Sequence, residues 1–230
     1  YSDLSSYYTI KAGESKIVKI VANLSSGAGL GSGETITAGL RSIYYYKKSS
    51  LKYADSTTNG VTGATVAANA LTATTSSLTV SSNTAYGAQT MVVGTSNAKI
   101  ASFVVKAGSA EGVSITTISL KVDESGGTTS HITNLKLMKV TATGETQLGT
   151  TQNSVTDNTA TSFSVSGFSL AANEQAIVNV YTDIGAIGGN NLLTTISAAG
   201  VSGNAVQSAT STTAPTAALD LQLPPAARST

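Results

Sequence analysis

The sequence predicts an all-β chain of Ig-like antiparallel β-sandwich modules in tandem, and three observations carry that prediction. Apolar and β-branched residues alternate with period two in short runs. Clusters of Gly, Ser, Asn and Thr separate those runs at strand-and-turn spacing, with almost no helical periodicity between them. One block of the chain also recurs 160 residues further on.

The strands follow in order. Residues 99–106 (KIASFVVK) place Ala101, Phe103 and Val105 on one face and Ile100 and Val104 on the other, the pattern of a strand buried on both sides. In 113–122 (VSITTISLKV) the apolar phase changes between Ile115 and Ile118, which predicts a bulge near Thr116 and Thr117. Further strands are expected at 132–140, 159–165, 176–181, 192–201 and 217–223. Turns at Glu124-Ser-Gly-Gly, Asp157-Asn158 and Gly188-Gly-Asn-Asn punctuate them. Strands at this spacing without intervening helices belong to a sandwich rather than a βαβ sheet.

The recurring block reads YTIKAGESKIVKIVANL over 8–24 and FSLAANEQAIVNVYTDI over 168–184. Ile10 falls on Leu170, Glu14 on Glu174, Val18 on Val178, Ile20 on Val180 and Leu24 on Ile184, so the apolar face is kept. The offset continues to Thr35-Ile36 over Thr195-Ile196. Matching Val61-Thr-Gly to Val201-Ser-Gly then requires an offset of 140, and hence a twenty-residue insertion at 41–60. Residues 1–80 are therefore expected to be the C-terminal half of a sandwich repeat, with a Tyr- and Lys-rich insertion. Residues 81–224 are expected to be a complete repeat, and 225–230 a linker or tail behind Pro224-Pro225. A chain opening on Tyr1 inside a repeat reads as a segment of a longer array, or as one whose missing strands come from elsewhere in an assembly.

The run MVVGTSNAKIASFVVKAGSAEGVSITTISLKV, followed by ITNLKLMK, TQLGTT and FSLAANEQAIVNVYTDI, resembles the tandem β-sandwich repeat modules of large bacterial cell-surface and surface-layer-like proteins of candidate-phyla bacteria. The resemblance covers about 81–224, with its back half recurring at 8–80. It implies an extracellular, non-catalytic building block located at the cell surface.

Composition removes several classes of function. Thirteen basic and twelve acidic side chains in 230 residues leave a net charge of +1, which gives no grip on a polyanion, so nucleic acid is not an expected partner. With no cysteine, disulfides, thiol chemistry and cysteine-bound zinc are excluded. No run approaches the roughly eighteen apolar residues of a membrane helix, so no transmembrane segment is expected. A Ser-His-acid triad would have to use His131, the sole histidine, which reads as a solvated turn residue. The S-x-x-K spacings at Ser49 to Lys52 and Ser96 to Lys99 lack the helix that chemistry requires. The run 27–33 (GAGLGSG) lacks the GK[ST] ending of a phosphate loop and reads as a strand connection. No catalytic residues and no enzyme activity are expected.

Three candidate sites remain. The insertion gathers Arg41, Tyr44, Tyr45, Tyr46, Lys47, Lys48, Lys52 and Tyr53, whose large amphipathic side chains suit a contact surface. Asp123, Glu124, Asp157 and Asp183 stand at strand ends, where hard oxygens could collect around calcium, the only cofactor this chemistry suggests. Asn23-Leu-Ser25 is the single glycosylation sequon, making Asn23 a candidate for a glycan. Residues 1–60 carry seven basic and four acidic groups and 61–230 carry six and eight, an asymmetry that favours head-to-tail stacking. Residues 61–98 hold no charge and 184–227 hold only Asp220, which suggests surfaces covered by neighbours or by sugars.

The leading expectation is a structural subunit of an extracellular assembly, a cell-surface filament or a surface layer, whose partners are copies of itself and possible surface glycans. The alternatives are an adhesin stalk or carbohydrate-binding module, in which the Tyr-rich insertion meets a glycan, and a phage or virion structural protein.

Overall fold

The computed structural model describes residues 9–17, 19, 21, 33–40, 44–55, 66–125, 131–185 and 191–221, and every regular element among them is a β-strand. Among the described residues no helix is long and apolar enough to cross a membrane. The chain divides into two compact units, 1–74 and 75–230.

In the first unit the strands are β1 (Thr35–Ile36), β2 (Gly39–Leu40), β3 (Tyr44–Lys47), β4 (Lys52–Asp55), β5 (Val66–Ala67) and β6 (Leu71–Thr72). They form nested antiparallel pairs, β1 with β6, β2 with β5 and β3 with β4. The Gly33 N–H donates to the Ala73 carbonyl and the Ala68 N–H to the Ala38 carbonyl, both at 2.8 Å, extending the pairing beyond the strands.

The second unit holds β7 (Leu78–Ser82), β8 (Ala98–Ala107), β9 (Val113–Glu124), β10 (Ile132–Thr141) and β11 (Gly144–Ser154), then β12 (Thr161–Leu170), β13 (Gln175–Ile184), β14 (Leu192–Ala205), β15 (Ser211–Ala214) and β16 (Leu219–Asp220). One sheet runs β11-β10-β13-β8-β7 and the other β12-β9-β14-β15, with β16 also on β14; all pairings are antiparallel. Period-two alternation points Phe103, Val105, Leu137, Val178 and Val180 of one sheet and Ile118, Leu120, Phe163, Ile196 and Val201 of the other into one core, where all are fully buried. The structure thus confirms an all-β, sandwich-like fold. β7 straddles the 80/81 boundary drawn from the sequence and pairs with β8, so it belongs to this unit.

The bulge expected at Thr116 is present. Thr117 faces Ser202 and Ile115 faces Gly203, so Thr116 is the extra residue that resets the side-chain phase. β12 runs five residues beyond the expected 165, because a second irregularity between Ser164 and Phe168, with Gly167 at φ +70°, lets it resume pairing with β9. The expected strand at 217–223 is pared down to β16, and residues 222–230 lie outside the described residues. β7, β11 and β15 lie outside the strands expected from the sequence. In β11, Leu148 is the only apolar side chain, because the strand forms a sheet edge and buries just one contact.

Gly149 shows how that edge is fitted. Its φ of +67° and the 2.7 Å separation between a Cβ placed there and the Ser164 carbonyl oxygen mean that β11 leans on β12 where only glycine fits. Gly149→Ala is expected to cost about 1–3 kcal/mol through strain and overpacking, measured by urea unfolding. An unchanged midpoint would show that the two edges are not pressed together.

The two stretches that match in sequence share a backbone turn. At 11–14 and at 171–174 the chain makes the same turn: the Glu14 and Glu174 N–H groups each donate to the carbonyl three residues back at 3.0 Å. Each Glu carboxylate in turn accepts that residue's N–H, from Lys11 at 3.2 Å and from Ala171 at 2.6 Å. Gly13 and Asn173 supply the left-handed position, at φ +77° and +64°. Thr35 faces Thr72 and Ile36 faces Leu71, just as Thr195 faces Asp220 and Ile196 faces Leu219. Thirty-seven positions separate the partners of the first pair and twenty-five those of the second. Residues 61–63, on which the expected offset of 140 rests, lie outside the described residues.

Candidate functional site

The Tyr- and Lys-rich insertion forms a hairpin. Tyr44 faces Asp55, Tyr45 faces Ala54, Tyr46 faces Tyr53 and Lys47 faces Lys52, across a loop of residues 48–51 in which Leu51 takes φ +53°. Tyr45 is 36% exposed, Tyr46 43% and Leu51 71%, and Lys48 and Lys52 are exposed beside them. The hairpin end is therefore amphipathic and basic. Arg41 and Asn23 lie outside the described residues, as do the side chains of Tyr44, Lys47 and Tyr53.

The acidic residues are held as hydrogen-bond acceptors at strand ends. Asp157 Oδ1 accepts the Glu124 N–H at 2.7 Å, so the β11–β12 turn and the end of β9 are tied together. The Glu124 carboxylate, 3% exposed, accepts the His131 N–H at 3.3 Å and stands 2.9 and 3.0 Å from its Nδ1. His131 thus closes the β9–β10 connection, a role that its turn context did not reveal. Asp123 is half-buried at the adjoining position of β9.

Asp183 is engaged separately, on β13. Its Oδ1 accepts the Asn97 N–H at 2.6 Å and its Oδ2 the Asn134 amide at 2.7 Å, fixing two residues with φ +54°. The Asn134 amide and then the Asn97 N–H hold the Asp183 carboxyl below its ordinary range, partial desolvation opposes them, and Lys136 adds to the lowering. Among the described residues no three His, Cys, Asp or Glu side chains converge as metal ligands would.

Two polar arrangements had no signal in the sequence. Glu111, 8% exposed, clamps the β14–β15 turn: its carboxylate accepts the Gln207 and Ser208 N–H groups at 2.8 and 3.0 Å and the Ser208 hydroxyl at 2.6 Å. Burial pushes its pKa up, but the Ser208 hydroxyl and N–H and the Gln207 N–H outweigh it, and the net shift is downward. Because the folded pKa lies below the unfolded one of about 4.3, the clamp contributes its full stability above that pH and loses it as pH falls through the folded value. Melting temperature is expected to hold steady from neutral pH to about 5 and fall below about 4. Glu111→Gln, costing about 1–2 kcal/mol at neutral pH, is expected to flatten part of that acid limb. An unchanged limb would assign it elsewhere.

The second arrangement crosses the outward face of the β8 sheet. The Asn83 amide donates to Ser102 Oγ at 2.9 Å and Ser102 Oγ to Asn179 Oδ1 at 2.7 Å. The Asn179 amide and, at 3.2 Å, the Tyr181 hydroxyl both donate to Glu145 Oε1. Nearby, where β10 and β13 diverge, an open groove of about 420 Å³ is lined by residues that include Lys139, Val140, Glu174 and Ile177.

No family model, curated protein or solved structure matches the chain.

Proposed function

We propose that the protein is a non-enzymatic structural subunit of an extracellular, cell-surface assembly, a filament or surface layer in which Ig-like β-sandwich modules stand in tandem and self-associate. One observation carries the reading: apolar side chains are exposed where charge is missing. Leu71, Val92 and Val93 are 69%, 74% and 52% exposed within the charge-free stretch 61–98, and Leu193 and Val206 are 37% and 62% exposed where Asp220 is the lone charge. Asp220 itself is used internally, its Oδ1 accepting the Thr195 hydroxyl at 2.7 Å and its carbonyl the Ser82 hydroxyl at 2.9 Å. A solitary soluble domain blunts such surface with charge, whereas a subunit leaves it for its neighbours. Sedimentation velocity across a concentration series tests this, with growing species expected and a single monomer boundary at every concentration contradicting it.

A carbohydrate-binding or adhesin reading is favoured by a different observation, the exposed Tyr45 and Tyr46 on the basic hairpin. Monomeric chain that binds immobilised glycans, and loses that binding in Tyr45→Ser/Tyr46→Ser, would support it in place of assembly.

A further inference from the structure

Two features of the second unit stand at opposite ends of β13 and complement each other. At the Ile184 end, residues 92–95 form a turn: the Thr95 N–H and hydroxyl donate to the Val92 carbonyl at 3.2 and 2.7 Å, and Gly94 takes φ +84°. The turn is pinned to the strand, the Gly94 N–H donating to the Ile184 carbonyl and the Ile184 N–H to the Thr95 carbonyl, both at 2.9 Å. Val92 and Val93 are therefore exposed on a fixed knob rather than on a loose loop, and a fixed apolar group loses little conformational freedom when it is covered. Residues 61–98 hold no charge, so covering the knob buries none of its own.

At the Gln175 end the first sheet is split. The β10–β13 ladder stops at Lys139 with Val178, and the next pairs in register, Val140 with Ile177 and Thr141 with Ala176, are not made. Each strand keeps its other neighbour: Val140 faces Glu145 and Thr141 faces Gly144 in β11, while Ile177 faces Val104 and Ala176 faces Val105 in β8. Two short backbone edges thus face one another across the open groove of about 420 Å³, without the ladder that would pair their N–H and C=O groups. The two charged side chains of the groove are engaged within the chain. Lys139 Nζ lies 4.8 Å over the Phe168 ring, and the Glu174 carboxylate accepts the Ala171 N–H. What the groove offers an occupant is Val140, Ala142, Ala176 and Ile177 together with the backbone edges. The turns around this end, 108–112, 142–143, 171–174 and 205–210, all lie among the described residues.

We infer that the Val92–Val93 knob of one copy seats in the β10–β13 groove of a second copy, so that subunits add head to tail. The inference rests on the self-association proposed above and names the two surfaces that make it. Knob and groove are roughly 20–25 Å apart along β13, so this unit cannot fill its own groove. The knob supplies what the groove lacks: two apolar side chains against Val140, Ala142 and Ile177, and, from residues 87–91, which belong to no ladder, backbone N–H and C=O groups for the open edges. Because the two surfaces differ, the contact is heterologous. Each docked copy leaves one knob and one groove free, and growth continues as a fibre instead of ending at a symmetric dimer.

Complementation in the full chain tests it. Val92→Lys with Val93→Lys removes the knob, and Ala142→Lys, at an exposed position of the β10–β11 turn, blocks the groove. Each variant alone is expected to associate about a hundredfold more weakly than the parent chain. Their equimolar mixture is expected to form heterodimers and nothing longer, because one intact knob meets one intact groove. A second measurement uses the absence of cysteine from the chain. Val93→Cys and Ala142→Cys chains are expected to form a disulfide only when mixed, and a chain carrying both to yield dimers, trimers and longer species under oxidation. Ala142→Lys that associates as the parent does, a mixture that stays monomeric, Val93→Cys chains that cross-link to one another, or a doubly substituted chain that closes on itself would each overturn the inference while leaving self-association standing. A parent chain that is monomeric at every concentration would instead remove the self-association reading, and head-to-tail docking with it.

Discussion

Phe103→Ala is expected to destabilise the second unit by about 3–5 kcal/mol, the loss that follows from truncating a fully buried aromatic ring. The ring is fully buried and lies opposite Val178 and Ser82, so it is gripped from both neighbouring strands of its own sheet and covered by the facing sheet. Truncation leaves a cavity that an antiparallel sheet, pinned by ladders on both sides of β8, has little freedom to collapse. For a unit of this size the loss corresponds to a fall of between about 6 and 20 °C in Tm, readable by calorimetry. A fall of under 2 °C would mean that the two sheets do not close on Phe103.

Val92→Lys combined with Val93→Lys is expected to leave the fold and Tm unchanged and to weaken self-association about a hundredfold or more. Both side chains stand largely in solvent, at 74% and 52% exposure, so the single chain loses little packing when they are changed. In an assembly the same positions would bury apolar surface, and two ammonium groups there would forfeit that burial and add a desolvation cost. About 3 kcal/mol of lost association is two powers of ten in affinity. Sedimentation of the variant beside the parent chain measures it, and equal assembly by both would place the subunit contact elsewhere.

The parts of the fold that the sequence revealed are those in which burial imposes period two on both sides of a strand. β8 and β9 show this most clearly: Phe103 and Val105 alternate against Ile100, and the change of phase at Thr116 is itself the bulge. Edge strands escape because one flank has no partner to impose a pattern. β11 reads as polar loop since only Leu148 enters the core, and β7 is short. The matched blocks share a turn, closed at Glu14 and at Glu174 by the same pair of hydrogen bonds, which their apolar spacing alone did not show.

Of the candidate sites, the hairpin was legible as an island of tyrosine and lysine. The carboxylates were legible as strand-end residues but not in their roles. Whether Asp183 meets a cation or two asparagines depends on which turns converge on it, and Asn97 and Asn134 are brought there by contacts spanning 86 and 49 residues. The same holds for Glu111, whose three donors lie 96 and 97 residues away.

Self-association is the central claim, and electron microscopy of the purified chain at rising concentration tests it most directly. The account predicts ordered polymers, a fibre or a two-dimensional lattice, with a repeat set by one subunit. Dispersed single particles of monomer size at every concentration would contradict it.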